Sequence, residues 1–449
     1  CVSSSSTPAS TAALSARRPI FLAFSRNVWL LLAQTLIVFV GIGVQALTLN
    51  LYLVALGYRE DFLGLVAFAN TVAIGAAALP ASACSNRYGP RRCLIVATLG
   101  IAAAGVVAVT WTSPAVILLA MSAVGICQAF IFVPMAPYLM ENARPDDHQR
   151  AFAANFAVLS LGSVLGSLLG GLLPGLVSAT PGPDANGYRL ALLLGAALSG
   201  LGAVALLLAS DHPSGVLLKT TGAVETSPVG APDRQKRTIV PSGPLQREQL
   251  RRELTAMVVA VALLAASTGL VVPFFNVYLH DETGAPTESV GLVYAVGAAV
   301  MAPASLVGPT IGARVGVVRL IALARLGAVP VVLLPLLIPS FGAGFVAYVL
   351  RAALVSLTQP LDNAFALARV PDYLRARTAA LRTVSWNAGW AVASAGAGAA
   401  IVHWGYPPIF AVAAFCLLGA VAVHYWAFGC STSAEEVVEE RASSGAART

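Results

Sequence analysis

Arg351 and Asp362 fall inside one long apolar stretch of this chain, and their chemistry comes first. Arg351 lies about eight residues into the apolar run 343–367, about 12 Å along a helix at 1.5 Å per residue. A guanidinium at such depth in hydrocarbon costs about 2.5–3.5 kcal/mol on insertion scales, so it faces a partner or a wet cavity. Its chemistry there would be to hold a carboxylate, a phosphate or a polarised carbonyl. Backbone carbonyls and Gln side chains would satisfy it as well. Asp362 lies 11 residues further on, on nearly the same helical face but about 16 Å away, too far to pair directly. It reads as a partner for Arg314, Arg369 or Arg382 in a gate at one end of its helix. The rival reading is a proton-coupling carboxylate, whose pKa would have to move between access states.

Other chemistry is excluded by spacing. The His residues (His148, His212, His280, His403, His424) fall in loops or near run ends, and none pairs at metal-ligand spacing. The six cysteines are scattered without a CxxC pattern and read as small hydrophobes. No cluster of Asp, Glu, His or Ser near one end of the runs offers a membrane enzyme. No enzyme activity, cofactor or metal is expected.

The elements that would position Arg351 follow from composition. Of 449 residues, 57% are hydrophobic and 10% charged, with a mean hydropathy of +0.80. A soluble domain carries roughly a quarter charged residues, so the solvent on most sides of this chain is hydrocarbon. About 20 apolar residues cross a bilayer as a helix, and long unbroken runs select helices over a barrel. The runs are 28–54, 62–84, 93–111, 115–139, 151–177 and 189–209, then 254–279, 289–311, 320–338, 343–367, 378–402 and 408–428. The expectation is an all-α membrane protein of twelve transmembrane helices in two six-helix, pseudo-symmetric bundles. A disordered N-terminal tail (1–26) precedes the first bundle (27–209). A central linker (210–253) joins it to the second bundle (254–428), and a C-terminal tail (429–449) follows. The chain begins with Cys1, so its natural start is expected upstream or processed. The linker ends in a short amphipathic stretch, 245–253, expected at the membrane surface.

Orientation follows from Lys and Arg placement, which is biased to cytoplasmic loops. One set of loops carries only Arg59 and Arg189, while the opposite set carries Arg87, Arg91, Arg92, Arg144, Arg150, Arg314, Arg319 and the linker cluster. Both termini and the linker are therefore expected in the cytoplasm, in a multi-pass protein of the cell (inner or plasma) membrane. The net charge of +7 is explained by this placement, so no nucleic acid is expected as a partner. The partners are the lipid bilayer and a small-molecule substrate; the chain is expected to act as a monomer.

Internal repetition follows the same division. Asn50-Leu-Tyr-Leu53 recurs as Asn276-Val-Tyr-Leu279, Gly64-Leu-Val as Gly291-Leu-Val, and Arg87-Tyr-Gly89 as Arg314-Val-Gly316. Pro134 pairs with Pro360, and Pro145-Asp146 with Pro371-Asp372. Every offset is 226 or 227 residues, the period of six spans. Six is even, so both halves start on the same side, a parallel repeat with its site near the midplane between halves.

With these features the chain resembles the major facilitator superfamily across roughly residues 25–428. The loop between the second and third spans reads Ser82-Ala-Cys-Ser-Asn86-Arg87-Tyr-Gly89-Pro-Arg91-Arg92. The superfamily pattern there is Gly, three residues, Asp-Arg, any residue, Gly, then basic residues. Arg87, Gly89, Arg91 and Arg92 match it, Ser82 replaces the Gly and Asn86 the Asp; Arg314 and Gly316 form a weaker second copy. The resemblance implies a latch that closes the cytoplasmic face, weakened here because Asn86 carries no charge. Gly162, Gly166, Gly170 and Gly171 on the fifth span resemble a glycine pattern of the superfamily's antiporters, with Ser167 where Pro is expected. The pattern leans toward export; helix packing accounts for it as well.

In this superfamily helices 1, 4, 7 and 10 line the central cavity. The resemblance therefore points to Gln34 and Gln45 on the first span, Gln128 on the fourth, Thr268, Phe275 and Asn276 on the seventh, and Arg351 and Gln359 on the tenth. The matched positions of Asn50 and Asn276 point to capping or gating more than recognition. Trp386 and Trp390 read as an interface belt and packing. The implied function is secondary transport of a small organic solute by alternating access, with the coupling ion, proton or other, left open. The alternative is a sensor or scaffold on the same fold.

Overall fold

The computed structural model describes residues 24–144, 147–177, 185–210 and 244–446. Among them twelve long helices dominate, and no strand occurs. The first half contains α1 (Arg26–Ala55), α2 (Glu60–Tyr88), α3 (Pro90–Thr110), α4 (Pro114–Asn142), α5 (His148–Val177) and α6 (Ala185–Leu207). The second contains α7 (Pro244–Val271), α8 (Thr287–Val315), α9 (Val317–Leu337), α10 (Phe341–Ala368), α11 (Asp372–Trp404) and α12 (Pro407–Ala446). Eleven are long and apolar enough to cross a bilayer. The other, α11, is 33 residues long but carries Gly, Ser, Asn and Trp where its neighbours carry Leu and Val. It is held in the bundle by packing against α2 and α7.

Three boundaries differ from the sequence reading. The amphipathic stretch 245–253 is continuous with α7, because Arg252 lies 3.9 Å over the Trp426 ring and Glu253 pairs with Arg369 at 3.8 Å. The backbone of α12 runs past 428 to Ala446, through Ala- and Glu-rich sequence that favours helix. At the far end of α7, Pro273 has no N–H and cannot continue the ladder. The chain passes there through a 3-10 turn (Val272–Phe274), a short turn (Phe275–Val277) and a π turn (Tyr278–Glu282). Pro273 leaves the Gly269 carbonyl without its helical donor, and the Ser394 hydroxyl of α11 donates to it at 3.1 Å. Residues 1–23 of the N-terminal tail, most of the linker and Pro145-Asp146 lie outside the described residues.

The two halves repeat one another contact for contact. In the first, α1 packs on α5 and α6, α4 on α2 and α3, and α3 on α6; in the second, α7 packs on α11 and α12, α10 on α8 and α9, and α9 on α12. Helices α2 and α3 turn at Gly89 with φ +85°, and α8 and α9 at Gly316 with φ +92°. Such a φ suits glycine because it lacks a Cβ.

Two helix crossings join the halves, α2 on α11 and α5 on α8, and the repeat relates them. A Cβ on Gly64 would lie 2.5 Å from the Ser394 carbonyl oxygen and 3.2 Å from the Gly398 Cα; one on Gly171 would lie 2.9 Å from the Gly291 Cα, and one on Gly291 2.8 Å from the Ser167 carbonyl oxygen. Ser167 and Gly171 thus do in the first half what Ser394 and Gly398 do in the second. Backbones meet with no side chain between them, which is how small residues let helices associate in lipid.

Hydrogen bonds between the halves gather at one end. Asn50 donates to the Pro273 carbonyl, and Asn276 donates to the Leu47 carbonyl at 2.7 Å. Each asparagine reaches the carbonyl three residues before its counterpart, so the pair is a reciprocal clasp. The tyrosine of the same repeated motif stays within its own half: Tyr52 donates to Val109 and Tyr278 to Pro335, both at 3.1 Å. Nearby, Tyr188 and Thr287 share a hydrogen bond at 2.9 Å. One apolar cluster, including Leu47, Leu53, Tyr188, Phe274, Leu279 and Tyr406, spans both halves here. Toward the opposite end the halves have separate clusters, around Leu31 and Leu94 in the first and around Met257 and Phe428 in the second. The bundle is closed at the asparagine end and parted at the other.

Gly64→Ala and Gly171→Ala are each expected to lower stability in detergent by about 1–3 kcal/mol, since backbone must move to admit the methyl. Gly342→Ala, where a Cβ meets nothing within 4 Å, should be neutral or stabilising by up to about 1 kcal/mol. Thermal unfolding of the three variants checks this, and equal shifts in all three would contradict the close crossings.

Candidate functional site

The cleft between the halves holds a cavity of about 440 Å³. One stripe of α10 faces it: Tyr348, Arg351, Ala352, Val355, Ser356 and Gln359. The spacing of three and four residues is that of one helical face. Phe39, Ile42, Gly43, Ala46 and Asn50 of α1 form the facing stripe, and Trp386 and Trp390 of α11 stand to one side. Their rings lie 6.2 Å apart. The Ser356 hydroxyl is buried on this wall with no hydrogen-bond partner.

Arg351 is half-buried in this cavity. Its guanidinium carbon sits 5.6 Å from the Tyr348 ring centre, and Tyr348 stacks on Tyr294 at 4.6 Å and on Phe275 at 5.3 Å. No carboxylate among the described residues pairs with it. A cation on an aromatic platform, facing open volume, can take an anionic group from a solute.

A second lobe, about 450 Å³, continues from the first through Val355, Gln359 and Trp386 toward the parted end. Asp362 sits on its wall between two arginines, with Arg382 Nη2 at 2.6 Å and Arg325 Nη2 at 3.1 Å. Arg382 also donates to the Asn363 amide oxygen at 3.1 Å. Of the three partners expected for Asp362, Arg382 is present. Arg314 is exposed on α8, and Arg369 is engaged by Glu253. Arg325 on α9 was not singled out from the sequence. Its signal was the one used for Arg351, a guanidinium inside an apolar run. The cluster lies within the second half and does not bridge the cleft, so in this conformation it is not a link between halves.

Of the residues the resemblance placed in the cavity, Thr268, Arg351 and Gln359 line it. The others lie elsewhere for identifiable reasons. Gln34 is buried inside the first half, donating to Thr98 at 3.1 Å. Gln45 points between α1, α3 and α6, with its amide 3.7 Å from the Met121 sulfur. Gln128 is on α4, which contributes nothing to the cavity wall. Phe275 lies behind Tyr348, and Asn276 is committed to the clasp. Helices α5, α8 and α11 line the cavity instead of α4. Tyr294, Tyr348, Trp386 and Trp390 are the additions, and the tryptophans read as a membrane belt are cavity wall. Tyr348 was legible as the residue three before Arg351, on the same face.

At the parted end Asn86, Arg87 and Arg92 are exposed, and Arg87 lies 5.3 Å from the Tyr88 ring centre. Arg91 donates to the Leu206 and Leu207 carbonyls of α6 at 2.9 and 3.0 Å, capping a helix C-terminus. Gly162, Gly166 and Gly170 pack against α1, and Gly171 against α8.

The chain matches the family model described as Major Facilitator Superfamily over residues 31–394, with a second match over 257–448. No curated protein matches it. Among solved structures it is similar to a bacterial homologue of the human lysosomal transporter Spinster in an inward-facing and unoccupied conformation. That likeness is at 17% identity and a TM-score of 0.68, covering 90% of this chain and 97% of the other. It is similar also to the nucleoside transporter NupG (13% identity, TM-score 0.70, 90% and 99% covered). A POT family transporter in complex with 5-aminolevulinic acid is similar at 13% identity and a TM-score of 0.69, with 92% and 97% covered. These identities speak for the fold alone. The family match covers most of the chain and agrees with two repeated six-helix halves around a central cavity: this is a multi-pass membrane protein belonging to the Major Facilitator Superfamily, a family of transporters.

Proposed function

We propose that this protein carries a small organic solute bearing an acidic or polarised carbonyl group, by rocker-switch movement of its halves around the central cavity. The observation that carries the reading is Arg351, a cation on the cavity wall with an aromatic platform beneath it and no carboxylate partner. The first half offers it no charged group and mainly apolar surface from α1, so a bound solute would place its charged end on α10 and its apolar part against Phe39 and Ile42. With the basic loops on the cytoplasmic side, the parted end faces the cytoplasm, both termini lie there, and the asparagine clasp is the outer gate. The basic turn containing Asn86 and Arg87 is then the inner latch, open in this conformation. Export as the direction is supported by the α5 glycine run alone. The protein acts as a monomer, since each chain holds a whole cavity.

Arg351→Gln is expected to weaken solute binding by roughly 10- to 150-fold, the worth of a hydrogen bond to a charged group. The melting temperature without solute should change little, because the guanidinium leaves no partner behind. Ligand-dependent thermal shift across a panel of metabolites, followed by uptake into proteoliposomes, tests both statements; unchanged binding and transport in the variant would refute the assignment. Loosening the clasp is expected to open the asparagine end. In the Asn50→Ala/Asn276→Ala background, Ala285→Cys, at a buried position of the shared cluster, should react faster with an impermeant maleimide than in the parent.

A further inference from the structure

The second lobe of the cavity contains a cation whose hydrogen-bonding capacity is only partly met. Arg325 is 4% exposed, and only its Nη2 is engaged, by Asp362. Its Nε and Nη1 are buried and have no hydrogen-bond partner. Those two atoms carry three N–H donors. Leaving donors of a charged group unmet in a low-dielectric interior is unfavourable. Arg325 nevertheless lines an open volume of about 450 Å³. Arg382 lines the same volume and shares the same carboxylate. Two guanidinium groups against one carboxylate leave the wall with one positive charge in excess. Thr358, Gln359 and Asn363 add polar groups along the α10 side.

We propose that this lobe binds a small oxyanion, a carboxylate, phosphate or sulfate group, at Arg325 with Arg382 beside it, the guanidinium turning to bring its unmet Nε and Nη1 donors to the anion. Asp362 keeps its bond to Nη2 and acts as an internal competitor, lowering affinity enough for the anion to leave again. The site is separate from the Arg351 contact. Asp362 and Arg351 are 11 residues apart on α10, about 16 Å at helical rise, so one small anion cannot touch both. The anion is either a free ion or the acid end of a larger solute whose other end reaches Arg351. The chemistry at Arg325 is the same for both.

The test is thermal unfolding of the full chain in detergent, at constant ionic strength with chloride as the balancing ion. Phosphate, sulfate and acetate are titrated, then a series of two-ended organic acids. Stabilisation growing with the logarithm of ligand concentration is expected for at least one of them. Arg325→Gln should weaken it by roughly tenfold or more, as expected for lost charge-assisted hydrogen bonds, and Arg325→Lys by less. Asp362→Asn should bind more tightly than the parent, and its own loss of stability should be recovered by the anion. That recovery needs an accessible site, which a closed structural ion pair lacks, so it serves also if Arg325→Gln fails to fold. Protection by inorganic ions that survives Arg351→Gln identifies a free ion. Protection confined to two-ended acids and lost in both arginine variants identifies the acid end of a solute. The proposal is overturned if no oxyanion stabilises the parent beyond chloride, or if Arg325→Gln responds like the parent.

Discussion

The architecture rests on two places where backbone touches backbone, Gly64 against Ser394 and Gly398, and Gly171 against Gly291. In lipid there is no hydrophobic drive to hold helix to helix, so association depends on close packing and hydrogen bonds. Larger residues there would hold the halves apart and open the cleft to lipid along its length. With glycine the halves meet along two narrow lines, and away from the closed end the space between them is left for the cavity. Beyond these crossings, the halves are joined at one end by the paired asparagine bonds to Leu47 and Pro273, the Tyr188–Thr287 bond and a shared apolar cluster.

Much of this was written in the residue order. Matched fragments at one offset announced two like halves, and the structure gives each fragment a job. In Asn-x-Tyr-Leu the asparagine crosses to the other half, the tyrosine ties a neighbouring helix in its own half, and the leucine fills the core. The glycine at φ near +90° closes the turn after α2 and again after α8. What could not be read is which face of each helix looks inward. Gln34 and Arg351 are both polar residues in apolar runs, yet one is satisfied by Thr98 in the interior of a half and the other stands in the cleft. Only rotation about the helix axis separates them, and a membrane span surrounded by other spans shows no polar face to reveal it. Arg325 was hidden differently. It lies five residues inside the run 320–338, and only the fold brings it to Asp362 of the next helix.

Symmetry of scaffold and asymmetry of chemistry coexist. The halves share one pattern of helix contacts, yet Arg325, Arg351, Asp362 and Arg382 all belong to the second. The first half presents aliphatic and aromatic surface from α1 to the same cavity. The charged side chains that line the cavity and its second lobe thus all lie in one half.

The modest apolarity of α11 has a consequence for how the protein is made. Its Gly, Ser and Trp side chains suit a wall between water-filled space and two other helices, and they suit lipid poorly. A segment of this kind partitions weakly on its own. It settles when α2 and α7, both synthesised earlier, offer it surfaces and the Gly269 carbonyl offers Ser394 a partner. Insertion of the second half is thus expected to lean on the first being in place, with this least apolar helix the last to be secured.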